Sequence, residues 1–134
     1  MIRTYFTLGV LALLCSGLQA QNPNMQATIP FDFQIGKTHL PAGDYHLTYA
    51  PSTKLLWLFE ARTHKGAAIL TIPVERNAAS DTGMLKFNRY GDEYFFAGVW
   101  GPNSVDGSTV VKSSREKELA GRIRRPESAA IALR

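Results

Sequence analysis

The residues that most readily suggest chemistry are Gly36, Lys37 and Thr38, which match the end of a phosphate-binding loop. In such a loop glycine amides wrap the phosphate oxygens and the lysine meets their charge. The rest of the loop is missing: its first glycine belongs at position 31, which is Phe31, and no helical pattern follows Thr38 to lend an amino terminus. The stretch reads as a plain polar loop, and no cofactor is expected. Histidines offer a second chemistry, because Asp44 and His46 share one parity of a strand while His39 and His64 fall in turns. Metal ligation by histidine needs three or four ligands at set geometry, and the sequence holds no tight His/Asp/Glu group. No metal ligand is assigned. Hydrolysis fares no better, since there is no Gly-x-Ser-x-Gly elbow. Asp92 and Glu93 adjoin at a hairpin, where strand alternation sends neighbouring side chains to opposite faces and away from any shared bond. No catalytic residue is assigned, and the chain is expected to be non-enzymatic.

Aromatic side chains carry the remaining candidate site. Trp57 and Phe59 share one face of an expected strand, and Tyr94, Phe96 and Trp100 share one face of another. Together they are a possible ligand platform on which a sugar ring or an apolar ligand stacks. The competing expectation, and the favoured one, is that they fill a core, where large aromatics contribute most of the buried area. Both strands are apolar at both parities. Either a second element covers the outer faces, or an apolar patch is left exposed, and such patches mark binding sites.

The elements that position these residues follow from period-two patterning. From Met25 to Ile35 the odd positions Ile29, Phe31, Phe33 and Ile35 are apolar and the even ones mostly polar, which predicts a half-buried strand with Asp32 facing outward. Pro30 has no backbone donor and places that strand at an edge or a bulge. "LPAGDY" is a turn by its chemistry, and Tyr45, Leu47 and Tyr49 alternate after it. "KLLWLFEA" reads as a central strand, "AAILTIPVE" as the next, and "MLKFNRY" with "EYFFAGVW" as a hairpin turning at Gly91 and Asp92. Six or seven short strands with no long helical pattern among them predict a mainly β fold, an antiparallel sandwich or small barrel. Ser113 with Glu116 three residues on is a capping box, and Glu118 can pair with Arg122, so a short helix is expected from about Ser114 to Arg124. "ESAAIALR" is either a frayed tail or one last strand.

Residues 1–20 read as a secretory signal peptide: one arginine, an apolar run from Tyr5 to Leu14, and small and polar residues up to Ala20. The run is too short to span a bilayer, and no transmembrane segment is expected after cleavage at Ala20. Leu14 stands where a lipid-modification site needs a small residue, so the single cysteine, Cys15, is not expected to be acylated. The mature chain then holds no disulfide and must rely on its core. Residues 21–111 are expected to form the β-sandwich domain and residues 112–134 a short basic helix and tail. The charge follows the same division: the net +4 gathers in 112–134, with seven Lys/Arg against three acids, while 21–111 has seven against eight. A near-neutral body with a short basic end does not make the basic stripe that nucleic acid requires. Arg122, Arg124 and Arg125 read as a solvated helix end, with anionic envelope surface as a second partner.

"ATIPFDFQIG…LPAGDYHL", "RYGDEYFFAGVW" and "SSREKELA" together resemble an uncharacterised family of small exported β-rich bacterial proteins. The resemblance covers nearly the whole mature chain and implies export and a β fold, but no site residue. "LPAGDYHL" alone looks like the strand-opening turn of prealbumin-like modules, which act as adhesion or accessory domains of exported proteins. The expectation is an exported, periplasmic or extracellular binding or structural module whose partner is a carbohydrate or another envelope protein. The alternative is a small secreted hydrolase or metal-dependent enzyme with a loop-borne site, recognisable by a cleft that gathers His39, His46, His64 and acidic residues.

Overall fold

The structure, a computed structural model, describes residues 25–123 and 125–134. The expected signal peptide, Cys15, the cleavage point and Arg124 lie outside the described residues. Among the described residues nine strands precede one helix and a tenth follows it: β1 (Met25–Ile29), β2 (Phe33–Ile35), β3 (Thr38–Leu40), β4 (Gly43–Ala50), β5 (Leu55–Glu60), β6 (Gly66–Glu75), β7 (Met84–Tyr90), β8 (Glu93–Trp100), β9 (Asp106–Val110), α1 (Ser114–Arg122) and β10 (Glu127–Ala132). They form a sandwich-like mixed sheet in the order β1-β4-β5-β6-β9-β8-β2-β3, with β7 also paired to β8 and β10 to β7. It is not closed into a barrel. Every pairing is antiparallel except β2 with β8, so the wholly antiparallel expectation gives way to a mixed sheet.

β6 joins the two layers. Its first half, up to Leu70, pairs with β5, and its second half, from Thr71, pairs with β9. The sheet therefore folds over at Thr71, wrapping its inner face around the core and leaving the outer face of β6 on the outside of a bend. The outer edge of β1 and the end of the β7–β10 branch approach each other where Arg134 and Gln26 exchange backbone hydrogen bonds, at 2.8 Å for the Arg134 amide and 3.4 Å for that of Gln26.

The alternation from Met25 to Ile35 survives, but as two strands rather than one. The chain bends between Pro30 and Asp32, β1 pairing with β4 while β2 leaves to pair with β3 and β8. Ala27, Ile29, Phe33 and Ile35 are buried and Asp32 is exposed, so the expected phase holds. Asp32 nevertheless has a partner: its carboxylate accepts the Ala42 amide proton at 2.9 Å across the "LPAGDY" turn. The buried Tyr45 hydroxyl closes the same turn by donating to the Pro41 carbonyl. Gly36 and Lys37, expected to lie in a polar loop, form the tight turn of the β2–β3 hairpin, with Gly36 at φ 57°. That conformation is one glycine adopts without strain. β9 carries no apolar alternation, "DGSTV", and takes its strand form from hydrogen bonding to β6 and β8. Of the two fates open to "ESAAIALR", the strand forms: β10 pairs with β7 along its whole length and belongs to the same sheet as the strands before residue 111.

Leu47, Leu56, Leu58, Leu85, Phe87 and Phe96 fill the space between the layers. No helix among the described residues is long and apolar enough to cross a membrane.

Candidate functional site

The five aromatics of the expected platform separate into three environments. On β5, Leu56 and Leu58 are buried, so Trp57 and Phe59 point outward, 40% and 37% exposed, their rings near-parallel at 17° with centroids 6.0 Å apart. The core expectation fails for these two. Opposite them β6 offers only Gly66 and Ala68, and the Phe59 ring lies so close over Gly66 that a Cβ there would sit 2.7 Å from it. On β8, Phe96 faces the core against Phe87, as the core expectation had it, and Tyr94 stacks on Phe31 at 3.8 Å with the Arg89 guanidinium over its ring, 5.3 Å from the centroid. Trp100 does not share their face. Lys86 pairs with Gly98 and Phe87 with Phe96, leaving Ala97 as an extra residue; this β-bulge inverts the phase of the strand and turns Trp100 outward. There its indole covers Gly98 and its pair partner Gly107. The indole N–H is buried without an acceptor among the described residues.

The outward face of β8 is covered. α1 lays Leu119, Ala120 and Ile123 against Tyr90 and Phe95. The Ser113 hydroxyl caps the helix by accepting the Glu116 amide proton at 3.2 Å. Only half of the expected capping box forms, because the Glu116 carboxylate turns to the sheet instead, accepting from the Tyr90 hydroxyl at 3.1 Å and the Asn88 amide at 3.3 Å. Burial first, and then the adjoining Glu116 carboxylate, push the Tyr90 hydroxyl up to about 12. Glu118 pairs with Arg122 at 3.0 Å as the spacing predicts. The helix ends at Arg122, two residues before the expected boundary.

Among the described residues no such cover lies over β5. Its bare face continues onto β6 and past β9, where Leu70 is 66% exposed, Ile72 50% and Val111 59%. These three were not among the sequence-derived candidates. The signal was present in "AAILTIPVE", which is apolar at both parities just as "KLLWLFEA" is.

Histidines and acids come together only in part. His39 borders a cleft of about 360 Å³ with Asp32, Asp92 and Glu93. Alternation had separated Asp92 from Glu93, but Asp92 lies in the hairpin turn, outside the ladder, and both border the cleft. His46 lies elsewhere, on the outer face of β4 opposite Phe59, and His64 sits in the β5–β6 turn at φ 56°. Among the described residues no three His, Cys, Asp or Glu side chains are placed to hold one metal ion. No protein-family model matches the chain, and no curated protein or solved structure is significantly similar to it.

Proposed function

We propose that this protein is an exported, non-enzymatic module of the bacterial envelope or extracellular space that works by binding, through the outer face of β5 and β6. The observation that carries this is the bare pair Trp57 and Phe59. On β8 the same outward apolar signal is covered by a helix, whereas on β5 two large rings stay partly in water over a shelf of Gly66 and Ala68. Keeping that much apolar surface wet is unfavourable unless a partner removes it. Export rests on the amino-terminal pattern and the resemblance to small exported bacterial proteins. Carbohydrate and another envelope protein are the partner classes that an aromatic face of this kind fits.

Two experiments test it. Intact-mass measurement on the exported protein is expected to give a chain starting at Gln21, and a mass matching acylated Cys15 as first residue overturns the soluble form. Tryptophan emission, followed as candidate glycans and envelope extracts are added, is expected to shift in the wild type and to lose that shift in Trp57→Phe. An unchanged response in the variant removes β5 from the site.

A further inference from the structure

Deepening that reading and resting on it, we propose that the partner of this face is an anionic lipid surface, met by a convex apolar ridge between rows of cations. Leu70 and Ile72 flank Thr71, where β6 passes from one layer to the other, so they stand on the outside of the bend and protrude. Val111 lies beside Leu70, one residue beyond β9, and Trp57 and Phe59 complete the ridge along β5. The rim is basic. Lys54 adjoins the bend, its carbonyl accepting from both the amide and the hydroxyl of Thr71, and Lys112 follows Val111 on the other side. Arg62 and Lys65 sit in the turn beyond Phe59. All four are exposed, and none forms an ion pair among the described residues. Every acid of the chain lies within the described residues, so these cations have no hidden counter-charge.

Charge and shape together select the occupant. Protruding aliphatic side chains sink a few ångströms into the boundary between headgroups and acyl chains, tryptophan and phenylalanine favour that boundary, and flanking lysines gain from anionic headgroups. A neutral sugar would stack on Trp57 and Phe59 but has no use for Leu70, Ile72 or the cations. A second copy packed face to face would bring each lysine row against its own kind.

The test is co-sedimentation of the protein recovered from the exporting cell with vesicles of phosphatidylethanolamine and phosphatidylglycerol, and with vesicles of phosphatidylcholine alone. Expected is binding to the anionic vesicles with a blue shift of tryptophan emission, weakened by raising the salt. Leu70→Asp should weaken binding at least tenfold, and Lys54→Glu with Lys112→Glu at least tenfold together, since one basic residue near an anionic surface is worth roughly fivefold. Circular dichroism and thermal melting check that each variant stays folded. Absence of binding to the anionic vesicles overturns the proposal, as does equal binding to phosphatidylcholine or binding that survives Leu70→Asp. A protein that ignores vesicles but shifts its Trp57 emission with a glycan, or self-associates unless Leu70 is changed, overturns the lipid and keeps the binding face. One that does none of these overturns both.

Discussion

On β8 the outward ring of Phe95 packs with Leu119 and Tyr90, sealed by α1, while on β5 the outward rings of Trp57 and Phe59 have no such cover among the described residues. Both strands are central and both are apolar at both parities. The difference lies in what the chain does next. Two residues, Val111 and Lys112, connect β9 to the Ser113 cap, and nine helical residues span only about 14 Å. The helix can therefore roof β8 and β7 and deliver the chain to β10 beside β7, but it cannot also reach β5. A strand apolar on both faces thus says that something must cover it, and the connections decide whether the cover is part of the chain.

The contrast can be broken or sharpened by mutation. Phe95→Ala should be the most damaging change, costing about 3 to 5 kcal/mol in denaturant unfolding, the range for deleting a buried ring. A loss below about 1 kcal/mol would mean that α1 does not seal that face in solution. Removing the latch comes next. Glu116→Ala leaves the Tyr90 hydroxyl and the Asn88 amide without their acceptor and should cost about 1 to 3 kcal/mol, with Glu116→Gln recovering part through its remaining carbonyl oxygen.

The same latch should show in alkali. The Tyr90 hydroxyl, raised by burial and then by Glu116, and the Tyr45 hydroxyl, raised by burial and then by Glu60 and Asp32, are each pushed from 10 up to about 12 in the fold. A raised pKa favours the protonated form in the folded state. The stability it contributes is complete below pH 10 and drains away as the pH climbs from 10 to 12. Unfolding measured across that window should show the decline, and Tyr90→Phe should make it shallower. A decline unaltered in that variant would remove Tyr90 from the account.

Bare residues should behave otherwise. Trp57→Ala is expected to cost about 1 kcal/mol, because the ring is only partly withdrawn from water. A cost matching that of Phe95→Ala would show that β5 is covered in solution. Smallest of all, Asp32→Asn should stay under about 0.5 kcal/mol, since asparagine keeps the oxygen that accepts the Ala42 amide proton. An effect as large as that of Phe95→Ala would reveal a further role for this carboxylate.

Much of this was legible in the residues. Parity set the inner faces correctly for Ala27 to Ile35 and for Tyr45 to Tyr49, because burial on one side of a pleated strand leaves a direct mark of period two. On β5, apolar at both parities, it left the inner face open, and the favoured core expectation put Trp57 and Phe59 on the wrong side. Three things left no such mark. The split at Pro30 keeps the alternation running while the partner strand changes, which a local pattern does not record. The bulge at Ala97 adds one residue inside an unbroken apolar run, so Trp100 was assigned to the wrong face of β8. β9 owes its form to neighbours distant in sequence. For the site, the two-faced strands left cover or an exposed patch as alternatives, and Trp57 and Phe59 were named as a possible platform while core was favoured. Leu70, Ile72 and Val111 were passed over because aliphatic side chains in a strand read as core until the bend in β6 is seen.

The exchange between Gln26 and Arg134 bears on how the fold is reached. The hairpins β4–β5, β5–β6 and β7–β8 join residues close in sequence, whereas Arg134 meets Thr28 across 106 positions. Loop-closure entropy makes such a contact late and slow relative to the hairpins. The seam is therefore expected to close last in refolding, and pulse-labelled hydrogen exchange should find the amides of Gln26 and Arg134 gaining protection together, after those of β7 and β8. Until then β1 has β4 on one side and a row of open amides and carbonyls on the other, the kind of edge that recruits foreign strands. The two ends of the sheet thus guard each other, and a chain cut short of Arg134 would keep its hairpins while becoming prone to aggregate.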